Sequence, residues 1–177
     1  LLYEEYGAEK VEKGGLRVYT TLDLELQKTA QASVSAEVGK LSRHRVSNGA
    51  ALVTKPNTGE ILAMVGSKDY FDNEIDGQVN ITLSHRQPGS SIKPLMYATT
   101  FQEKKLNPGS ILLDIPTCFE IPGQPQYCPK NYDGSFKGPV TIRRSLGNSL
   151  NIPAVKAINT IGGETFRNQA TKMGITT

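Results

Sequence analysis

Arg86-Gln87-Pro88-Gly89-Ser90-Ser91-Ile92-Lys93-Pro94 decides how this chain is read. A serine hydroxyl is a weak nucleophile at neutral pH and needs a base within hydrogen-bond reach. Ser90 and Lys93 are three residues apart, about one helical turn, so on a helix they share a face. Pro88-Gly89 ends an extended segment and allows a tight turn, which puts Ser90 at the start of the next helix. Free backbone N–H groups and the positive end of the helix dipole surround that position. That setting suits a serine whose adduct must carry an oxyanion. Pro94 is tolerated in the first turn. The helix continues through Leu95 to Phe101 and stops before Asn107-Pro108-Gly109. Leu95, Ala98 and Phe101 recur at helical spacing and are its expected buried face. Burial there would lower the Lys93 pKa and make it a usable base. Ser91, two residues from Lys93, points elsewhere on a helix, so Ser90 is the expected nucleophile. A bare Ser-x-x-Lys is most often a solvated helical face, and the flanks are what favour chemistry.

Downstream, Ser149-Leu150-Asn151-Ile152-Pro153-Ala154-Val155 carries a second polar pair. Residues two apart diverge on a helix and point the same way in an extended or turn segment. The residue before Pro153 also avoids the helical region. A loop at 149–151 is therefore expected, followed by a helix over 153–160 that ends at Gly162-Gly163. In such a loop Ser149 is a candidate proton relay, and Asn151 a candidate for holding substrate and Lys93. The bland alternative is a Ser/Asn cap pair between two helices.

These stretches together resemble class A penicillin-binding proteins, the bifunctional peptidoglycan synthases, whose nucleophile motif is Ser-x-x-Lys. Three further segments agree: Val18 to Gln27, with its Thr20-Thr21-Leu22-Asp23; Ala50 to Gly66; and Asn131-Tyr132 with Gly138-Pro139-Val140. The resemblance runs from about residue 16 to the C-terminus. It implies an α+β fold of the penicillin-binding-protein and serine β-lactamase type, an antiparallel sheet between helical layers. Only about the first half of that fold is expected here: a linker over 1–15, then a partial transpeptidase domain over 16–177. The family's third motif, Lys-Thr-Gly, is absent, since Lys172-Met173-Gly174 lacks the threonine. The resemblance places that strand, and half of the oxyanion hole, beyond residue 177.

The implied activity is D,D-transpeptidation through a serine acyl-enzyme, with Ser90, Lys93 and Ser149 catalytic, Asn151 on the substrate, and β-lactams as inhibitors. The implied partners are peptidoglycan stem peptides, β-lactams and a second polypeptide carrying the rest of the domain. The implied place is the extracytoplasmic face of a bacterial membrane. The alternatives are a catalytically incomplete binding or scaffold module, and a D,D-carboxypeptidase or β-lactamase sibling.

Composition fits one globular domain. The 177 residues carry Lys+Arg 20 against Asp+Glu 17, a net charge of +3, with no basic run of the nucleic-acid-binding kind. No stretch is long and apolar enough to span a membrane, and the N-terminus lacks a signal pattern. No cofactor is expected. His44 and His85 lie far from the two cysteines in sequence, so no metal site is expected either. Cys118 and Cys128 flank a run centred on Pro122-Gly123, a hairpin-like loop that a disulfide would close in an oxidising compartment. The remaining pattern predicts a short strand over 16–20 and a helix capped by Asp23 with Leu26, Ala30, Val34, Val38 and Leu41 on its core face. It also predicts a hairpin over 50–54 and 61–65, loop over 66–84, an irregular stretch over 107–139, and helices over 141–147 and 164–173.

Overall fold

The computed structural model describes residues 2–176, which form two compact units divided between His85 and Arg86. Helices and antiparallel strands are mixed in both.

In the first unit, α1 (Leu2–Tyr6) and α2 (Ala8–Lys13) are short helices with no buried residue. The strand expected over 16–20 does not form. Its apolar residues face solvent, with Tyr19 at 89% exposure. The chain is tied on a little later, where the Thr21 hydroxyl donates to Ile61 O at 2.6 Å and Asp23 N–H to Leu62 O at 2.9 Å. α3 (Leu24–Lys40) starts where Asp23 caps it, its carboxylate accepting from Leu26 N–H at 3.0 Å. Along the expected core face Val38 is buried, Leu26, Ala30 and Val34 are half-buried, and Leu41 is exposed.

β1 (Ala51–Thr54) and β2 (Ile61–Val65) form the expected antiparallel hairpin. Gln27 on α3 takes the place of a neighbouring strand for β2. Its side-chain amide donates to Met64 O at 3.1 Å and accepts from Met64 N–H at 2.8 Å. The other edge of β1 has no strand beside it among the described residues. Residues 66–84 hold only two single turns of 3₁₀ helix, Asn73–Ile75 and Ile81–Leu83.

The second unit carries the motifs. A 3₁₀ turn, Gly89–Ile92, leads into α4 (Lys93–Gln102), with Pro94 in the first turn. Gly89 has φ +54°, in the left-handed region that favours glycine, and an added Cβ would meet nothing within 4 Å. Backbone freedom, not space, is therefore what this position demands. The buried face of α4 is Lys93, Met96, Tyr97, Thr99 and Thr100, whereas Ala98 is exposed. The expected face of Leu95, Ala98 and Phe101 is thus rotated. Two threonines can go inside because their hydroxyls bond back to Leu95 O (2.9 Å) and Tyr97 O (2.7 Å).

The stretch expected to be irregular contains a second hairpin, β3 (Ile111–Asp114) with β4 (Gly138–Thr141). Pro139 sits in β4, which belongs to a two-stranded sheet where an edge is always free to take it. Three helices follow: α5 (Ile142–Gly147), α6 (Asn151–Ile161) and α7 (Gly163–Lys172). Met96 and Tyr97 from α4, Ile142 from α5, and Ala154 and Ala157 from α6 make the core, with Leu112, Ile158 and Phe166 packed against it. This core fixes α4 against α6, the two helices whose first turns bring Lys93 and Asn151 together.

Candidate active site

Lys93 is the centre of the site. It is 7% exposed, and its ammonium donates to Ser149 O at 2.6 Å, Ser149 Oγ at 3.1 Å and Asn151 Oδ1 at 2.7 Å. An ammonium has three donors, and all three are used. Burial holds its pKa below the ordinary lysine value, because the charged form loses more hydration than the neutral one.

The geometry of 149–151 explains how one amine reaches two residues. Helix α5 ends in a Schellman motif: Ser149 N–H donates to Leu146 O (3.0 Å) and Leu150 N–H to Ser145 O (2.9 Å). The residue at the turn of such a motif is left-handed and usually glycine. Here it is Ser149, with φ +52°, a conformation of the kind retained at functional sites. α6 opens at Asn151, two residues before the expected start, and Pro153 is accommodated in its first turn. The two residues do lie at helix ends, but their side chains go to Lys93.

Ser90 lines an open cavity of about 560 Å³ together with Asn131, Asn148, Ser149, Leu150 and Asn151. It also lines a second, apolar groove with Lys93, Met96, Asn151, Val155 and Phe166. Ser91 lines neither; its hydroxyl donates to Pro88 O at 2.5 Å inside its own turn. Of the four residues singled out in the sequence, Lys93, Ser149 and Asn151 are joined by hydrogen bonds, and Ser90 lines the two cavities beside them.

Two residues behind them escaped the sequence reading. Asn131 accepts the backbone N–H of Asn151 through Oδ1 at 2.8 Å, supplying a partner for a free donor of the first turn of α6. Its Nδ2 donates to both carboxylate oxygens of Asp114, at 3.0 and 2.8 Å, and to Ser135 O at 2.8 Å. Asp114 is fully buried and also accepts from Lys137 N–H at 2.9 Å. Asn151 Nδ2 in turn donates to Lys130 O at 2.7 Å. This chain of bonds fixes the Asn151 amide so that its oxygen faces Lys93. In the sequence Asn131 is marked only by the resemblance of Asn131-Tyr132 to a family segment, and nothing marks Asp114 as its partner.

At the cavity rim Lys137 pairs with Asp133 at 2.9 Å. The Lys137 hydrogen bond, followed by those from Ser135, holds the exposed Asp133 carboxyl below the usual carboxylate range. Cys118 and Cys128 are joined in a disulfide. Among the described residues no group of three or more His, Cys, Asp or Glu side chains is placed to hold a metal ion. No helix among them is long and apolar enough to cross a membrane.

Comparison with known proteins agrees with this geometry. Residues 49–177 match the family model for the penicillin-binding protein transpeptidase domain. Penicillin-binding protein 1F of Bacillus subtilis is 35% identical over 168 residues, 94% of this chain and 22% of its own length. Penicillin-binding protein 1A of Rickettsia bellii is 40% identical over 118 residues, 65% of this chain and 14% of its own. The chain thus spans about a quarter or less of the curated relatives it matches. Among solved structures, penicillin-binding protein 1A of Haemophilus influenzae aligns with TM-score 0.64 and 36% identity over 72% of this chain and 18% of that one. PonA1 of Mycobacterium tuberculosis, solved with penicillin V, aligns over 99% of this chain and 44% of its own with TM-score 0.74; at 20% identity that shows a shared fold. With a matched segment that includes Ser90, Lys93, Ser149 and Asn151, the chain belongs to the penicillin-binding protein transpeptidase family.

Proposed function

We propose that this chain carries the nucleophile half of a serine D,D-transpeptidase that cross-links peptidoglycan stem peptides and is acylated by β-lactams. The observation that carries the reading is the Lys93 amine, buried and bonded to Ser149 and Asn151 beside a cavity walled by Ser90. Ser90 Oγ attacks the carbonyl of the penultimate D-Ala. Its proton passes to a deprotonated Lys93 Nζ, directly or through Ser149 Oγ, and on to the departing D-Ala nitrogen. The C–N bond breaks and an ester on Ser90 remains. An amine from a neighbouring strand then attacks the ester, loses its proton by the reverse route and leaves with the acyl group. Asn151 orients Lys93 through Oδ1, and Asn131 and Asp114 hold Asn151.

The chain contains no Lys-Thr-Gly triplet. In this proposal a strand bearing that motif completes the oxyanion hole and grips the substrate carboxylate, and residues 16–177 act as one part of a domain whose other part holds it. The Cys118–Cys128 bridge suits the oxidising extracytoplasmic side of a bacterial membrane.

The test is fluorescent-penicillin labelling of the 177 residues, with and without the segment bearing the third motif, followed by mass spectrometry of the adduct. A penicilloyl ester on Ser90 that forms only in the completed domain is the expected result. No adduct in the completed domain favours the binding module. Hydrolysis without transfer to an amine acceptor favours a carboxypeptidase or β-lactamase.

A further inference from the structure

Between β3 and β4 the chain makes a long excursion, and one part of it is stitched shut. Cys118 and Cys128 are disulfide-bonded. One residue inside them, Phe119 and Tyr127 form an isolated antiparallel bridge, Phe119 N–H to Tyr127 O at 2.8 Å and Tyr127 N–H to Phe119 O at 2.9 Å. The tip turns at Pro122-Gly123, with Gln124 N–H on Ile121 O at 3.0 Å. Nothing in the proposed chemistry uses this arm.

Its returning strand, however, ends in the site. Tyr127 lines the groove that also holds Ser90, Lys93 and Asn151 at its polar end and Met96, Val155 and Phe166 along its apolar length. Three residues on, Lys130 O takes the Asn151 Nδ2 donor, and Asn131 takes the Asn151 backbone N–H. Tyr127 is therefore anchored on one side by the Asn151 network and on the other by the disulfide and its two adjoining hydrogen bonds. Tyr127 is still 47% exposed, so a large part of its ring surface is free to meet a ligand in the groove.

We infer that the disulfide-closed arm presents Tyr127 as an aromatic wall against the apolar part of the acyl donor bound at Ser90, and that the redox state of Cys118–Cys128 sets its placement. The inference rests on the acyl-enzyme reading above. Opening the bridge takes two electrons and two protons: a dithiol is oxidised to its cyclic disulfide while Cys118 and Cys128 become thiols. Two hydrogen bonds then remain to hold the base of the arm, and constraint on a short loop is lost.

Two measurements test this. In a domain that includes the third motif, Tyr127→Ala should slow acylation by penicillins with aryl side chains about tenfold, in line with losing one aromatic contact. The loss should fall on the binding constant and not on the limiting acylation rate, and Tyr127→Phe should restore most of it. Reduction by dithiothreitol should slow the wild-type domain several-fold, and the C118S/C128S variant should be slow from the start and unresponsive. Equal rates for Tyr127→Ala and wild type, or wild-type rates after confirmed reduction, overturn the inference.

The second measurement stands apart from acylation. The chain has no tryptophan, so Tyr127→Trp gives a single tryptophan that can be excited selectively over the tyrosines. Its emission should move to the red on reduction in the 177-residue chain, and should start there when C118S/C128S is added. An unmoved emission overturns the inference even if Ser90 acylates; a wild-type domain that never acylates overturns the functional reading and leaves the emission to decide this one.

Discussion

Lys93 holds Ser149 twice, by its carbonyl oxygen at 2.6 Å and its hydroxyl at 3.1 Å. A single amine thus fixes the backbone and the side chain of a residue 56 positions away. Asn151 takes the third donor, so any proton reaching this site enters a fully arranged set of acceptors.

The first prediction concerns Lys93 as base. In the proposed mechanism the reactive form is the neutral amine, and burial lowers the Lys93 pKa from its ordinary value. Acylation should therefore rise with pH through an apparent pKa below that of an ordinary lysine, as more of the amine loses its proton. Lys93→Arg keeps the charge but cannot deprotonate, and should lose about 10²–10⁴ in rate. Stopped-flow labelling across pH in the completed domain is the measurement. A wild-type rate that falls over the same range contradicts the assignment.

Ser90 and Ser91 should behave differently. Ser91 Oγ is committed to Pro88 O, whereas Ser90 lines both cavities. Ser90→Ala should abolish covalent labelling, and Ser91→Ala should leave it in place with a stability loss of about 1 kcal/mol from the missing turn bond. Peptide mapping of the adduct checks this; an adduct on Ser91 sinks the assignment.

Asn131→Ala should both destabilise and disable. It leaves the fully buried Asp114 carboxylate with only the Lys137 N–H and frees the Asn151 backbone donor. Stranding a buried charged acceptor costs about 3 kcal/mol. Urea unfolding measures that loss, and labelling at permissive temperature should still be slow, because Asn151 no longer faces Lys93 in a fixed pose. Unfolding midpoints equal to wild type would show that Asp114 does not depend on Asn131.

Tyr97 offers a test of opposite sign. Its hydroxyl is buried without a hydrogen-bond partner. Burial pushes its pKa up to about 12, and the nearby Ser145 hydroxyl, itself donating to Thr141 O, opposes that without reversing it. An unfolded tyrosine ionises near 10, so between pH 10 and about 12 the unfolded state releases a proton that the folded state keeps. Stability should fall across that window and be fully present below it. Tyr97→Phe should remove this part of the alkaline loss and at neutral pH be neutral or stabilising by up to about 1 kcal/mol. Thermal melts at pH 8 and pH 11 compare the two. A Phe variant several kcal/mol weaker would mean the hydroxyl has a partner after all.

Ser90 with Lys93, and Ser149 with Asn151, could be singled out because each pair lies within three residues; the hydrogen bonds that join Lys93 to Ser149 and Asn151 span 56 and 58 positions, and no spacing gives them. Asp114 and Asn131 could not be: they are 17 residues apart and meet only when β3 and β4 pair. That hairpin was hidden too, since Gly138 and Pro139 open β4 and both read as strand breakers. On α4 the error had another cause. Counting only apolar residues put Leu95, Ala98 and Phe101 inward, while Thr99 and Thr100 could be buried by satisfying their hydroxyls within the helix. Residues 16–20 read as a short strand, but strand form needs a ladder, and the segment is tied to β2 only after its end, through Thr21 and Asp23.

If the proposed function holds, the left-handed turn at Ser149 limits how this site could vary under antibiotic selection. Glycine or asparagine would suit the turn better but would remove the hydroxyl. Threonine would keep a hydroxyl, but its branched Cβ is poorly suited to positive φ. Under the proposed function, a substitution at Ser149 that loosens β-lactam binding would damage either the backbone or the proposed proton path, and that function needs both. Escape variants should accumulate instead at exposed wall positions such as Tyr132 and Tyr127, where a side chain can change without moving the amine at the centre.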